Sequence, residues 1–330
     1  MLRHLRILFD NFTLALLAVI AVASLLPCSG TAALVFEQLT RLAVGLLFFL
    51  HGARLSRQAI LAGAGHWRLH LLVFACTFAL FPLLGLALRP WLAPWVGPEL
   101  YLGILYLCAL PGTVQSAIAF TALARGNVAA AVCSASASSI LGIFLTPLLV
   151  GVLLEARGAE TDSLGAVGQI VVQLLLPFLA GHLLRPWLGA WVERHGRTLR
   201  LVDQGSILLV VYTAFSAAVV EGLWHTVPVE ALLLLGVICC LLLALVLGST
   251  AWLGRRLGFS LEDRIVIVFC GSKKSLATGA PMAQVLFAGA AVGPALLPLM
   301  VFHQIQLMVC AVLAQRYARR AEPLAAQSAR

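Results

Sequence analysis

Apolar residues run in long blocks along this chain, each interrupted by few polar positions. Blocks of spanning length lie near 12–27, 34–51, 69–88, 100–123, 128–153, 164–184, 205–221, 229–253, 265–287 and 291–313. A helix needs about 20 apolar residues to cross the roughly 30 Å hydrocarbon layer of a bilayer. The pattern therefore predicts ten transmembrane helices joined by short loops. Glu37 and Arg41 lie near the start of the second block and suggest a later start for that helix. The polar stretch from Arg316 to Arg330 reads as a frayed cytoplasmic tail.

Composition sharpens this picture. Of 330 residues, 62% are hydrophobic and 11% charged, where a soluble domain carries about 25% charged residues. That excludes a soluble enzyme and leaves an all-α polytopic membrane protein, a single transmembrane domain over residues 1–330. Arg3 and Arg6 followed by an apolar run resemble a signal peptide, but Pro27-Cys28 makes a poor cleavage site, so the run reads as an uncleaved first span. Seven of the eight cysteines lie inside apolar blocks, and none has zinc-site or disulfide spacing. No cofactor or metal is expected.

The net charge of +9 resides in loops, with no aromatic-interleaved basic stripe, so no nucleic-acid partner is expected. With the N-terminus in the cytoplasm, seventeen arginines from Arg3 to Arg330 fall on the cytoplasmic side, against Arg41, Arg89 and Arg157 opposite. That asymmetry supports ten spans with both termini inside. Lys273 and Lys274 are the only lysines and lie side by side within the ninth block.

Two blocks contain helix breakers. Pro111-Gly112 interrupts the fourth, followed by Thr113, Gln115 and Ser116; Gly271-Ser272 interrupts the ninth, followed by Lys273, Lys274 and Ser275. The breaks lie about half a chain apart, as do the first and sixth blocks. Ten spans then divide into two five-helix repeats, about 9–155 and 163–315, inverted because five is odd. Irregular backbone at membrane depth survives where it lines a cavity or is buried in protein. Each second half-helix opens with free N–H groups and a positive dipole end, which Thr113 and Ser272 can cap. The fifth block carries Asn127 at its start, then Ser134, Ser136, Ser138 and Ser139 among alanines. Ser134 and Ser138 share a face, either for close packing or as cavity lining.

Several stretches carry a family resemblance: Pro111-Gly112-Thr113, Ala124 to Ala129, Leu145-Thr146-Pro147, and Cys270 to Ala277. Over the whole chain the sequence resembles the bile acid:sodium symporter family, and its double lysine resembles the branch holding the seventh member of solute carrier family ten and bacterial relatives. The resemblance implies a six-helix core and a four-helix panel, with broken helices four and nine crossing, and location in a bacterial inner membrane. Sodium-coupled members hold two sodium ions between helices three, four, five and nine. Here the position of their shared glutamate falls at Phe269. Thr77 stands for the helix-three glutamine, Lys273 and Lys274 for a glutamine and an asparagine, and Ala131 and Ala135 for hydroxyl ligands.

A sodium site needs oxygen ligands, and a lysine ammonium about 4 Å away repels a cation by roughly 4 kcal/mol at an effective dielectric of 20. The sites read as dismantled. A lysine could occupy a vacated cation site or carry a proton; snorkelling to an interface is the plainer alternative. His303, Gln304 and Gln306 lie in the tenth block and His51 ends the second; His303 and Gln304 either face the cavity or are satisfied polar residues.

These readings converge on a secondary transporter of a small organic anion in the lipid bilayer, working by alternating access without sodium, with proton coupling as an option. The expected central site is Thr113, Gln115, Ser116, Ser272, Lys273, Lys274 and Ser275, with Gly271, Thr77, Asn127, Ser134, Ser138, His303 and Gln304 around it. A non-transporting membrane regulator with the same fold is the alternative, and it requires a cavity too small or too closed for substrate. An intramembrane enzyme would need an acid or nucleophile beside the lysines, where the sequence supplies serines.

Overall fold

Leucine, alanine and valine dominate the apolar blocks, and in the computed structural model, which describes residues 11–54, 64–155, 171–287 and 289–320, the blocks coil into helices; there is no strand among the described residues. The main helices are α1 (Asn11–Leu25), α2 (Gly30–Arg54), α3 (Trp67–Ala87), α4 (Arg89–Ala109), α5 (Gln115–Leu123), α6 (Val128–Glu155), α7 (Leu176–Arg194), α8 (Gly196–Val220), α9 (Val229–Arg256), α10 (Leu261–Gly271), α11 (Leu276–Leu286) and α12 (Val292–Arg320). One turn of α3, Cys76–Leu80, is a π-helix, and α4 kinks at Gly97.

Among the described residues, seven helices are long and apolar enough to cross a bilayer alone: α2, α3, α4, α6, α8, α9 and α12. The remaining three expected spans differ for local reasons. The first is α1, only 15 residues long. The sixth block begins outside the described residues. The ninth is cut into α10 and α11, each of 11 residues.

Large apolar side chains face outward. Leu42 is 72% exposed and Leu233 69%, an arrangement stable against lipid rather than water. All seven tryptophans are exposed and sit near helix ends, at Trp67, Trp91, Trp95, Trp187, Trp191, Trp224 and Trp252. Such aromatic belts mark the two membrane–water interfaces.

Two groups of helices form. In the first, α2 packs along α7 while α8 packs on α1 and α2. The α2–α7 approach is close enough to require glycine. A Cβ on Gly52 would lie 2.0 Å from the Phe178 carbonyl oxygen, and one on Gly181 would lie 1.9 Å from that of Phe49. The second group comprises α3, α4, α5, α6, α9, α10, α11 and α12, and α8 joins the groups by packing on α11 and α12.

Some sequence-based boundaries are corrected. α2 starts at Gly30, before Glu37 and Arg41, because those residues pair at i, i+4 with an N–O distance of 2.5 Å and neutralise each other on the helix surface. The seventh span, α8, starts at Gly196 rather than 205, with only His195 between it and α7. Its first turns are polar outside, but Leu199 packs with Val192 and Ala53 underneath. α12 continues through Arg320 into the expected tail.

Candidate functional site

Both expected breaks are present, and they touch. The first lies between α4 and α5, the second between α10 and α11. The Ser275 N–H donates to the Pro111 carbonyl at 2.9 Å. Gly112 fits because a Cβ there would lie 3.1 Å from the Cys270 carbonyl oxygen.

An interrupted helix leaves its last carbonyls without partners. At the end of α4 each of four consecutive carbonyls finds one. Lys274 Nζ donates to Cys108 at 2.8 Å and to Leu110 at 2.6 Å, the Thr146 hydroxyl donates to Ala109 at 2.9 Å, and Ser275 takes Pro111. Lys274 Nζ also donates to the Thr77 carbonyl at 2.8 Å and stands 4.1 Å from the centre of the Phe81 ring. Three carbonyl acceptors match the three N–H bonds of an ammonium. The charge also sits at the negative end of the α4 dipole.

The backbone of Lys274 is held by Gln306. Its N–H donates to Gln306 Oε1 at 2.8 Å, and its carbonyl accepts from Gln306 Nε2 at 2.8 Å. The same Nε2 donates to His303 Nδ1 at 2.9 Å. Lys273 is held more loosely. Its Nζ lies 3.4 Å from Ser116 Oγ and 3.9 Å from the centre of the Phe120 ring. Ser116 in turn donates to Thr113 Oγ1 at 2.8 Å. Both lysine side chains are fully buried, so neither snorkels.

The expected caps fall elsewhere. Ser272 Oγ donates backward to the Val268 carbonyl at 2.6 Å, and Ser275 caps α11 by accepting from the Thr278 N–H at 3.2 Å. Ser272 is one residue past α10 and can reach only its last turn. Val114, which has no side-chain acceptor, holds the cap position of α5. Thr113 lies one residue too early and bonds Ser116 instead.

Between the two helix groups lies a cavity of about 420 Å³. Its core wall is built from the first turns of α5 and α11, through Thr113, Gln115, Ser116, Ser275 and Thr278, with Ser136 and Ser139 of α6 and His303 of α12. The opposite wall carries His51 and Arg54 of α2, Phe178 of α7, and Arg200, Asp203 and Gln204 of α8. Phe12, Phe48, Ile140, Ile143 and Ile207 supply apolar lining. A second space of about 250 Å³ shares Arg54, Gln115 and Arg200 and adds Arg185 and Glu193.

Of the residues singled out from sequence, Thr113, Gln115, Ser116, Ser275 and His303 line this cavity. Lys273 and Lys274 lie behind its wall. Ser134 bonds His70 Nδ1 at 2.7 Å and Ser138 accepts from the Gly112 N–H at 3.1 Å, so this face of α6 is packed while Ser136 and Ser139 point into the cavity. Asn127 caps α6 through the Ala130 N–H at 3.0 Å and donates to Asp263 at 3.0 Å, tying α6 to α10. Thr77 Oγ1 donates to the Val73 carbonyl at 2.8 Å, so only its backbone meets Lys274. Gly271 ends α10 against Cys76 and Thr250. Gln304 is half-buried on α12 outside the cavity lining. Sequence reasoning placed Gln306 in the tenth block without giving it a role, and it missed the charged wall of Arg54, Arg200 and Asp203. The i, i+3 spacing of His303 and Gln306 was the available signal for the first.

Against known proteins, residues 10–319 match the SBF-like CPA transporter family. A Pseudomonas aeruginosa protein named "Uncharacterized protein PA2026" is 71% identical over 97% of this chain and 96% of its own length. An Escherichia coli protein named "Putative symporter YfeH" is 59% identical, again over 97% and 96%. The rat protein named "Sodium/bile acid cotransporter 7" is 28% identical over 82% of this chain and 81% of its own.

Proposed function

The chain belongs to the SBF-like CPA transporter family, a membrane transporter with a small-molecule substrate, and on that premise we propose that it carries an amphipathic organic anion by alternating access, without sodium. The observation that carries this reading is the cavity. Its volume of about 420 Å³ lies in the range of small-molecule sites, roughly 300–1,000 Å³. The first turns of α5 and α11 both border it, and helix N-termini favour negative charge. Arg54 and Arg200 against Asp203 leave its wall with a positive excess, while its phenylalanines and isoleucines suit an apolar body.

Alternating access is supported by the position of the cavity between two helix groups, one carrying α1, α2, α7 and α8 and the other both broken helices. Ten spans in two inverted repeats are supported by the matched breaks, α4–α5 and α10–α11. The arginine asymmetry favours both termini in the cytoplasm of a bacterial inner membrane, an orientation that puts the Arg54 and Arg200 end of the cavity on the cytoplasmic side. A carrier is favoured over a silent regulator, since the regulator requires a cavity too small or too closed for substrate and this one has the volume of a small-molecule site.

Sodium independence rests on Lys274. The carbonyls of Thr77, Cys108 and Leu110 are taken by its ammonium, and a sodium ion there would need the same oxygens. The name of the rat relative points to sodium and bile acids, so both enter the test. Protein in lipid nanodiscs is titrated with taurocholate, naphthalene-2-sulfonate and benzoate, in sodium and in choline buffers. At least one anion should bind, equally in both. Binding of none sinks the anion reading, and binding that needs sodium sinks the uncoupled one.

A further inference from the structure

The two walls of the cavity differ in kind. The core wall presents hydroxyls, an amide, His303 and helix ends; the opposite wall presents full charges. Arg54 closes α2, and its Nη1 donates to Asp203 Oδ2 of α8. That pairing uses one guanidinium nitrogen and one carboxylate oxygen. Arg54 Nη2 and Asp203 Oδ1 are shielded from solvent and have no hydrogen-bond partner, and both residues line the cavity. A buried ion pair is favourable only when its remaining donors and acceptors are satisfied, so this one is incomplete.

An incoming anionic group is an acceptor and suits Arg54 Nη2. It also meets the negative charge of Asp203 a few ångströms away, and two like charges sharing one site disfavour each other. A proton on Asp203 removes the conflict and turns its carboxyl into a donor. His51, one turn before Arg54, lies on the same wall. Its Nδ1 bonds the Leu47 carbonyl at 2.8 Å, and since a carbonyl can only accept, Nδ1 carries the proton of that bond. The other charged or titratable groups around the pair are Arg200 on α8, His182, Arg185 and Glu193 on α7, and His303 on α12.

We propose that Arg54 is the anion-recognition residue of this carrier, that Asp203 is its resident counter-ion, and that Asp203 takes up one proton as the substrate's anionic group replaces it on Arg54. The proposal rests on the anion-transport reading above. The balance is simple. The empty site holds Arg54 positive and Asp203 negative; the loaded site holds Arg54 positive, the substrate negative and Asp203 neutral. One anion and one proton enter together from solvent and leave together, and the site has the same charge loaded and empty.

The test uses the full chain in lipid nanodiscs and probes that stay ionised from about pH 6 to pH 8: naphthalene-2-sulfonate, phenyl sulfate and taurocholate. For a probe that binds the wild type, affinity should fall by about tenfold per pH unit on the alkaline limb, the slope for one proton per anion. D203N should bind with a flat profile. R54Q should weaken binding on the order of tenfold to a hundredfold, the range for losing a hydrogen bond to a charged group. R54Q leaves Asp203 unpaired and can fail to fold, so the double variant R54Q/D203N, which strands no charge, must show the same loss. A flat wild-type profile, an unchanged slope in D203N, or normal affinity in the double variant overturns the proposal while leaving anion binding intact. Failure of all three probes to bind the wild type overturns the anion reading and this inference with it.

Discussion

The ammonium of Lys274 lies 2.6 Å from the carbonyl oxygen of Leu110, 164 residues away in the chain. This bond, with those to Cys108 and Thr77, fastens the break before α11 to the break after α4. It places the positive charge where α4 leaves its last carbonyls open, so one side chain serves as helix cap and as inter-helix tie.

The two lysines should therefore respond differently to substitution. Lys274→Met strands the Cys108 and Leu110 carbonyls and should lower stability by about 1–3 kcal/mol for each orphaned group. Lys273 makes one long hydrogen bond at 3.4 Å and otherwise meets aromatic rings. A methionine packs against such rings, so Lys273→Met should cost clearly less. Melting temperatures in nanodiscs check this, and equal losses would refute the division.

Gln306 completes the Lys274 backbone from both sides. Gln306→Leu leaves a buried N–H and a buried carbonyl without their partner, at about 1–3 kcal/mol per orphaned group. A melting temperature well below wild type is expected. A leucine variant as stable as wild type would mean that water or backbone movement replaces the amide.

The glycine contacts of α2 and α7 predict a steric effect. Gly181→Ala forces a methyl into the Phe49 carbonyl and should cost about 1–3 kcal/mol or more, because backbone has to move. Gly236→Ala on α9 meets nothing within 4 Å and should be neutral. Thermal unfolding of the two variants gives the comparison, and equal behaviour would contradict the close approach.

Orientation is checked by labelling. In a cysteine-free background, Glu221→Cys, between α8 and α9, should react with an impermeant maleimide from the periplasmic side of intact spheroplasts. Arg256→Cys, at the other end of α9, should react only after permeabilisation. The reverse pattern would invert the assignment from arginine counts.

Much of the helical layout was legible in the sequence because lipid imposes one simple demand, about 20 apolar residues per crossing. The breaks at Pro111-Gly112 and Gly271-Ser272 were legible for the same reason, since polar residues at membrane depth stand out. What faces what was not. Ser134 and Ser136 differ by two positions, yet one is packed against His70 and the other lines the cavity, and only helix rotation decides between them. Arg54 and Asp203 sit at block edges, where charge ordinarily means a water-facing loop. Their meeting depends on how α2 and α8 pack, and no local pattern encodes it.

The tie at Lys274 has a consequence for energetics. A sodium ion held by carbonyl oxygens can depart on the far side of the membrane and dissipate its concentration difference. An ammonium bonded covalently to its own chain cannot. A captive cation supports the architecture but does no work on the cargo. Accumulation above equilibrium then requires some other ion to travel with the substrate, and without one the carrier only levels concentrations across the bilayer.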